Sequence, residues 1–457
     1  MPEISLNDIL EAREARAARR IRMQTEHPGV CVALSINIPG PEKDSPRIRE
    51  LFLHAVHRVH AALEVSAVAS VLEVAGPHAV FAVTGDPLSI KETACRLESE
   101  TGYGRLLDLD VYDASGAAVS SPSRGPGRAC FVCTELAIVC MRENRHTPQE
   151  VATAVNRLFA AFHAEASRSI SAPASRYAAL GLEAMLYEVA SCPSPGLVDP
   201  LHTGSHKDMD FFTFQRSSAA LAFALARCAE AGIRHRGEPM GLLPVLRLIG
   251  LEAEDVMLRA TGGVNTQKGL LFSLGLTLGA TGLLVRNKLD PTPERLCETL
   301  RLMTAGMVAR ELGRAVPKTA GEKMYRDFGI SGIRGEMEAG LPSVLTAGLP
   351  TLENALARGE ACNRALLRSL VALMAVVDDT TILARSPHPE TLRKVQAKAR
   401  AIHDSALLDR DDWQNVLWEM DAELVRQNLS PGGSADLLAL TWFMHRVRTL
   451  PATKQDR

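Results

Sequence analysis

A chain of 457 residues is too long for one ordinary hydrophobic core, and 46% hydrophobic with 23% charged residues marks it as globular, not disordered or fibrous. The formal net charge of -2 excludes a broad surface for nucleic acid or anionic membrane, so any anion must be held by local constellations. Aromatics at 4% beside abundant alanine and leucine favour helix.

The opening segment, MPEISLNDILEAREARAARRIRMQ, lacks the uninterrupted apolar core of a signal peptide and reads as a charged amphipathic helix. Nine cysteines without a secretory signal imply reduced thiols and a cytoplasmic setting. Residues 30–38 (VCVALSINI) read as a strand ending at Pro39-Gly40, and Ser45-Pro46 as a helix start. Strands are expected at 67–73, 79–83 and 105–112, a helix at 88–98, and a hairpin turn at Asp113 to Gly116. This mixture predicts an α/β or α+β domain over residues 1–165. Residues 166–175 are small and polar and form the expected linker. Beyond it, residues 176–457 carry helical periodicity and predict an all-α domain. The most apolar run, 269–285, reads as a core helix in which Gly275 and Gly279 admit another backbone, not as a membrane span.

In the first domain Asp108 and Asp110 lie two apart on a strand, so both carboxylates share a face and can converge on one magnesium ion. Lys43 and Arg47, at the start of the helix expected after residues 30–38, offer a phosphate cradle. Cys130, Cys133, Cys140 and His146, spaced C-x2-C-x6-C-x5-H, supply the ligand types of a closed, structural zinc site; a redox C-x-x-C is the rival reading.

Five polar loops mark the helical half. SPGLVDPLHTGSHKDMD gathers Asp199, His206, Lys207, Asp208 and Asp210. GGVNTQKG offers the backbone of Gly262 and Gly263 and the cation of Lys268, without the spacing of a Walker A loop. GIRGE places Arg334 and Glu336 in a short turn. DDTT sets Asp378 and Asp379 at an expected helix C-terminus, where two acids oppose the dipole unless a cation joins them. In SPGGSAD, Ser434 reads as an N-cap and Asp436 as a first-turn acid. Together the loops suit a metal-bridged polyphosphate.

In this order SPGLVDPLHTGSHKDMDFFTF, GGVNTQKG, GIRGE, DDTT and SPGGSADLLA resemble the triphosphoribosyl-dephospho-CoA synthase family. NIPGPEKDSPRIR, GRLLDLDV and the Cys/His segment resemble the apo-citrate lyase phosphoribosyl-dephospho-CoA transferase family, also called holo-acyl-carrier-protein synthase. One departure is Gln267, where relatives of the synthase often carry histidine. The resemblance implies a nucleotidyltransferase-like first domain and a bifunctional enzyme. ATP and 3′-dephospho-CoA would give triphosphoribosyl-dephospho-CoA and adenine. The product would then pass to a serine of the apo acyl carrier subunit of citrate lyase, with release of pyrophosphate. It further implies Asp208, Asp210 and Glu336 as base or cation stabilisers, and Lys207, Lys268 and Arg334 on the triphosphate. Magnesium would sit on Asp378 with Asp379, and on Asp108 with Asp110. Three other readings stay open: the same chemistry for malonate decarboxylase, a nucleotide or ADP-ribose hydrolase, and a zinc-stabilised N-terminal module that only recruits the carrier.

Overall fold

The computed structural model describes residues 6–40, 42–73, 75–120, 127–167, 170–313 and 320–450. They divide into two compact units, Met1–Ile170 with Arg234–Glu252, and Ser171–Ile233 with Ala253–Arg457. Residues 168 and 169 of the expected linker lie outside the described residues.

The first unit runs α1 (Leu6–Glu26), β1 (Val30–Ile36), α2 (Pro46–Ala62), β2 (Val65–Val71), β3 (His78–Val83), α3 (Pro87–Ser99), β4 (Leu107–Tyr112), α4 (Ala137–Arg142) and α5 (Pro148–Ser167). The strands form one antiparallel sheet in the order β2-β3-β1-β4, so β4 is an edge. Each expected strand is present, with no end moved by more than two residues. The sheet holds because β1 buries side chains on both of its faces. Val32 and Leu34 are fully buried on one face, and Cys31 joins Met23 of α1, Val80 and Ala82 on the other. The register sets Ser35 opposite Asp108, Ala33 opposite Asp110 and Cys31 opposite Tyr112. Asp108, Asp110 and Tyr112 therefore share the face that α1 covers at Tyr112, and Arg20 of α1 lies 4.1 Å over that ring. The expected turn closes the edge: Gly116 N–H donates to Asp113 O, with Gly116 at φ 83°.

The second unit is helical among its described residues. In chain order it contains α6 (Ala172–Ala190), α7 (Phe211–Arg234), the C-terminal part of α8 (Leu242–Ala260), α9 (Lys268–Arg286), α10 (Pro293–Thr304), α11 (Met307–Leu312), α12 (Ala320–Phe328) and α13 (Gly332–Glu338). After these come α14 (Leu349–Ala357), α15 (Cys362–Met374), α16 (Thr380–Arg385), α17 (Pro389–Asp404), α18 (Trp413–Arg426) and α19 (Gly432–Thr449). Helix α9 is long and apolar enough to cross a membrane. Here it is the core helix, with every residue from Ser273 to Leu284 buried. Its buried hydroxyls bond back into the helix, as Thr277 Oγ1 does to Ser273 O at 2.8 Å. Gly279 takes part in the close backbone approach, whereas Gly275 meets only the Cys228 thiol, 3.4 Å from where its Cβ would lie. A Cβ on Gly232 would lie 2.0 Å from Gly279 O, and one on Gly282 would lie 2.0 Å from Ala229 O. Two helices cross there with no side chain between them.

Candidate active sites

In the sheet unit, the edge position of β4 leaves Asp110 exposed and Asp108 half-buried. Asp108 accepts from Ser35 Oγ at 3.4 Å and pairs with Arg128. Arg128 also binds Glu98 Oε1 at 2.6 Å and donates to Leu107 O at 3.1 Å. Lys43 and Arg47 turn elsewhere. The Lys43 ammonium caps Ile38 O, and Arg47 reaches Asn156 and Glu42 and lies 4.8 Å over the Phe159 ring. Burial holds the Lys43 amine below its ordinary range, with Arg16 adding to the effect. Arg105 and Arg128 lie beside Asp108, and charge spacing alone did not single them out.

Cys130, Cys133, Cys140 and His146 come together, all their ligand atoms within 4.8 Å of one another. Cys133 Sγ lies 3.4 Å from Cys140 Sγ and 3.3 Å from His146 Nε2. Ligand atoms about 2.3 Å from one tetrahedral zinc stand about 3.8 Å apart, so the set fits that ion. Burial, with the neighbouring thiols, pushes the Cys140 thiol up to about 12, a cost that a bound cation reverses.

In the helical unit the five loops meet at one end of the bundle. His206 Nε2 lies 3.0 Å from Ser430 Oγ, Ser205 Oγ donates to Leu429 O, and Arg385 binds both Ser205 O and His206. This joins the first loop to the last. Asp379 ties the fourth loop to the last: its carboxylate accepts from Gly433 N, Ser434 N and Ser434 Oγ, and from Thr381 N and Oγ1. The second loop arrives through α9, where a Cβ on Gly269 would lie 2.2 Å from Asp436 Oδ2. GIRGE arrives through Gly332, packed on Thr380, and through Arg334, 5.8 Å from the Phe272 ring.

Three expected local roles are corrected. Asp379 is the N-cap of α16, not an acid at a helix C-terminus, so it favours the dipole. Ser434 lies inside α19, whose N-cap is Pro431, and its polar atoms serve Asp379. Arg334 and Glu336 sit on helix α13, not in a turn. The two acids differ in surroundings: buried Asp379 is saturated with donors, while Asp378 is exposed beside Gln396. Burial raises the Glu336 carboxyl above its ordinary range and the Asp378 charge adds to that, while bonds from Ser343 oppose it.

The other expected residues take these places. Asp210 caps α7 through Thr213 N and Oγ1, which hold its carboxyl low. Asp208 is exposed, 3.9 Å from His206, and Lys207 is exposed beside it. Burial, then the Arg385 charge, lowers His206 to about 4, so it is neutral at pH 7. Lys268 pairs with Glu254 and Arg334 with Glu311. Gly262 and Gly263 are exposed at φ 70° and 93°, where a side chain would be strained. Asp199 is buried and accepts from Ser194, Leu201 and His202 backbone N–H groups, which makes it the organiser of its loop.

Two acids stand out that sequence reasoning missed or set aside. Burial pushes the Glu188 carboxyl up to about 8. Asp436 is raised well above the usual carboxylate range by burial, then by Glu188 and Asp379. Glu188 stands on α6, six residues before Ser194, where the first motif begins, and its apolar neighbours hide it in the sequence.

Residues 174–454 match the family model CitG, ATP:dephospho-CoA triphosphoribosyl transferase, and residues 4–162 match CitX, apo-citrate lyase phosphoribosyl-dephospho-CoA transferase. "Protein CitXG" of Leuconostoc mesenteroides subsp. cremoris is 30% identical over 97% of both chains. A "Probable 2-(5''-triphosphoribosyl)-3'-dephosphocoenzyme-A synthase" of Photobacterium profundum is 38% identical, and one of Vibrio cholerae is 39% identical. Each match covers 59% of this chain and 87% of the relative. The chain therefore belongs to the ATP:dephospho-CoA triphosphoribosyl transferase family, fused behind an apo-citrate lyase phosphoribosyl-dephospho-CoA transferase domain, and is a bifunctional transferase that makes and attaches the citrate lyase prosthetic group.

Proposed function

We propose that the helical unit performs the synthesis at the convergent loop end and the sheet unit performs the attachment at β4. The convergence of five separated loops around Asp379 and the start of α9 carries the first assignment. The 2′-hydroxyl of dephospho-CoA forms a bond to C1 of the ATP ribose as the bond from C1 to adenine breaks. Adenine leaves with that electron pair and takes up a proton. The cation-like sugar carbon favours nearby carboxylates. Glu188 retains its proton at neutral pH and, with Asp436, supplies the acid for adenine. Exposed Asp208 is placed to accept the hydroxyl proton, while Asp210 acts through its cap on α7. Lys207, Lys268, Arg334 and the Gly262-Gly263 backbone line the triphosphate. Asp378 with Glu336 would hold magnesium, which neutralises phosphate charge when bound.

In the sheet unit, which we read as nucleotidyltransferase-like, the carrier serine forms a bond to the α-phosphorus. The bridge from that phosphorus to the β-phosphate breaks, pyrophosphate leaves with the pair, and the serine proton passes to water. Asp108 and Asp110 share the open strand face, and magnesium held there would neutralise the departing pyrophosphate. The Cys/His set would hold structural zinc. The substrate is the apo acyl carrier subunit of citrate lyase, since the matching model is the citrate lyase transferase. The free cysteines suit a cytoplasmic setting. The test is to supply ATP, magnesium, dephospho-CoA and apo-carrier to an Asp108→Asn variant. An unmodified carrier beside undiminished adenine release supports the division, and a modified carrier overturns it.

A further inference from the structure

We propose that Arg105 and Arg128 grip the pyrophosphate end of the transferred nucleotide, and that the Cys/His knot is the device that positions them. The proposal rests on the attachment reading of the sheet unit and on zinc filling the knot.

The two guanidiniums converge. With its amide oriented to satisfy both, Asn37 Oδ1 accepts from Arg128 Nη1 at 3.0 Å and from Arg105 Nη1 at 2.7 Å. Two cations sharing one neutral oxygen repel, and Arg105 is held below its ordinary range by burial and then by Arg128. Such a fork is the geometry in which guanidinium pairs take phosphate oxygens. Asp108, the strand acid of the proposed metal face, is already bound to Arg128. Glu98 and Asp108 offset both cations, so a polyphosphate should bind together with a divalent cation and not alone.

The knot supplies the positioning. Arg128 O accepts from Ala137 N at 2.8 Å and Cys130 N donates to Glu135 O at 2.7 Å, which closes a small hairpin around Cys133. Ala129 and Leu136 form its bridge. Arg105 is fastened to the same hairpin, by Nε to Ala129 O at 2.8 Å and by its guanidinium 4.2 Å over the Phe131 ring. Cys140 and His146 pin the hairpin from the following helix and turn. Loss of the knot thus loosens the hairpin that carries Arg128 and anchors Arg105, although neither is a ligand.

The test uses the full chain with preformed triphosphoribosyl-dephospho-CoA, apo-carrier, magnesium and pyrophosphate as a product inhibitor. Zinc per chain is read by elemental mass spectrometry, and adenine release from ATP and dephospho-CoA, assayed separately, serves as the fold control. Arg105→Ala and Arg128→Ala should keep their zinc and their adenine release. Their KM for the nucleotide and their pyrophosphate inhibition constant should each rise about 10- to 100-fold, the loss of one charged hydrogen-bond pair. Lysine at either position should restore only part of this. Cys133→Ser should lose zinc and move the same two constants in the same direction. Unchanged constants in zinc-loaded arginine variants overturn the proposal while leaving the zinc reading intact. A wild-type chain that attaches fully without zinc overturns the zinc reading and the positioning claim, and the arginine variants then decide the phosphate contact separately.

Discussion

In the sheet unit the candidate site is nearly contiguous, made from one edge strand and the hairpin and knot that follow it. In the helical unit it is gathered from segments between Glu188 and Asp436, and one buried carboxylate, Asp379, joins two of them. The difference predicts different failure modes. A change on β4 should remove chemistry and spare the fold, because Asp110 is exposed and Asp108 only half-buried. A change at Asp379 removes chemistry and loop order together.

The largest effect should follow Asp108→Asn. Carrier modification should fall by about 10²- to 10³-fold, the range for losing one preorganised charge contact, with adenine release unchanged. Carrier mass and free adenine, read from one mixture, decide it. Next, Glu188→Gln or Asp436→Asn should slow adenine release about 10²-fold or more while attachment from preformed intermediate continues. Equal loss of both activities would show that the two regions are not separable.

Glu188 also gives a pH test. Its folded carboxyl, raised to about 8, binds a proton more tightly than the unfolded one near 4. Its contribution to stability is therefore full below the unfolded value and declines as pH rises through 8. Thermal midpoints of the wild type should fall over that window, and Glu188→Gln should flatten the slope. A steeper slope in the variant would contradict the assignment. The smallest effect is expected from Asp210→Ala, where loss of the α7 cap should lower the denaturant midpoint slightly. A much larger loss of adenine release than of stability would make Asp210 part of the chemistry.

The sequence made the sheet unit legible because its signals are local: strand alternation put Asp108 and Asp110 on one face, and C-x2-C with Cys140 and His146 marked the knot. Arg105 and Arg128 escaped because their meeting at Asn37 depends on strand register, which charge spacing does not encode. In the helical unit the motif loops were legible as polar islands, and their convergence was expected from the resemblance. Their internal roles were not legible. DDTT reads as the end of α15, but the chain turns after Met374 and Asp379 starts the next helix. Ser434 reads as a cap only until Asp379 is seen to claim it.

The most direct test follows adenine and carrier mass in parallel for Asp108→Asn and Asp436→Asn, with ATP, magnesium, dephospho-CoA and apo-carrier. Asp108→Asn should release adenine, accumulate the triphosphoribosyl intermediate and leave the carrier mass unchanged. Asp436→Asn should release little adenine yet modify the carrier when the intermediate is supplied. Either variant losing both activities, with its fold intact, would contradict the division of labour between the two units.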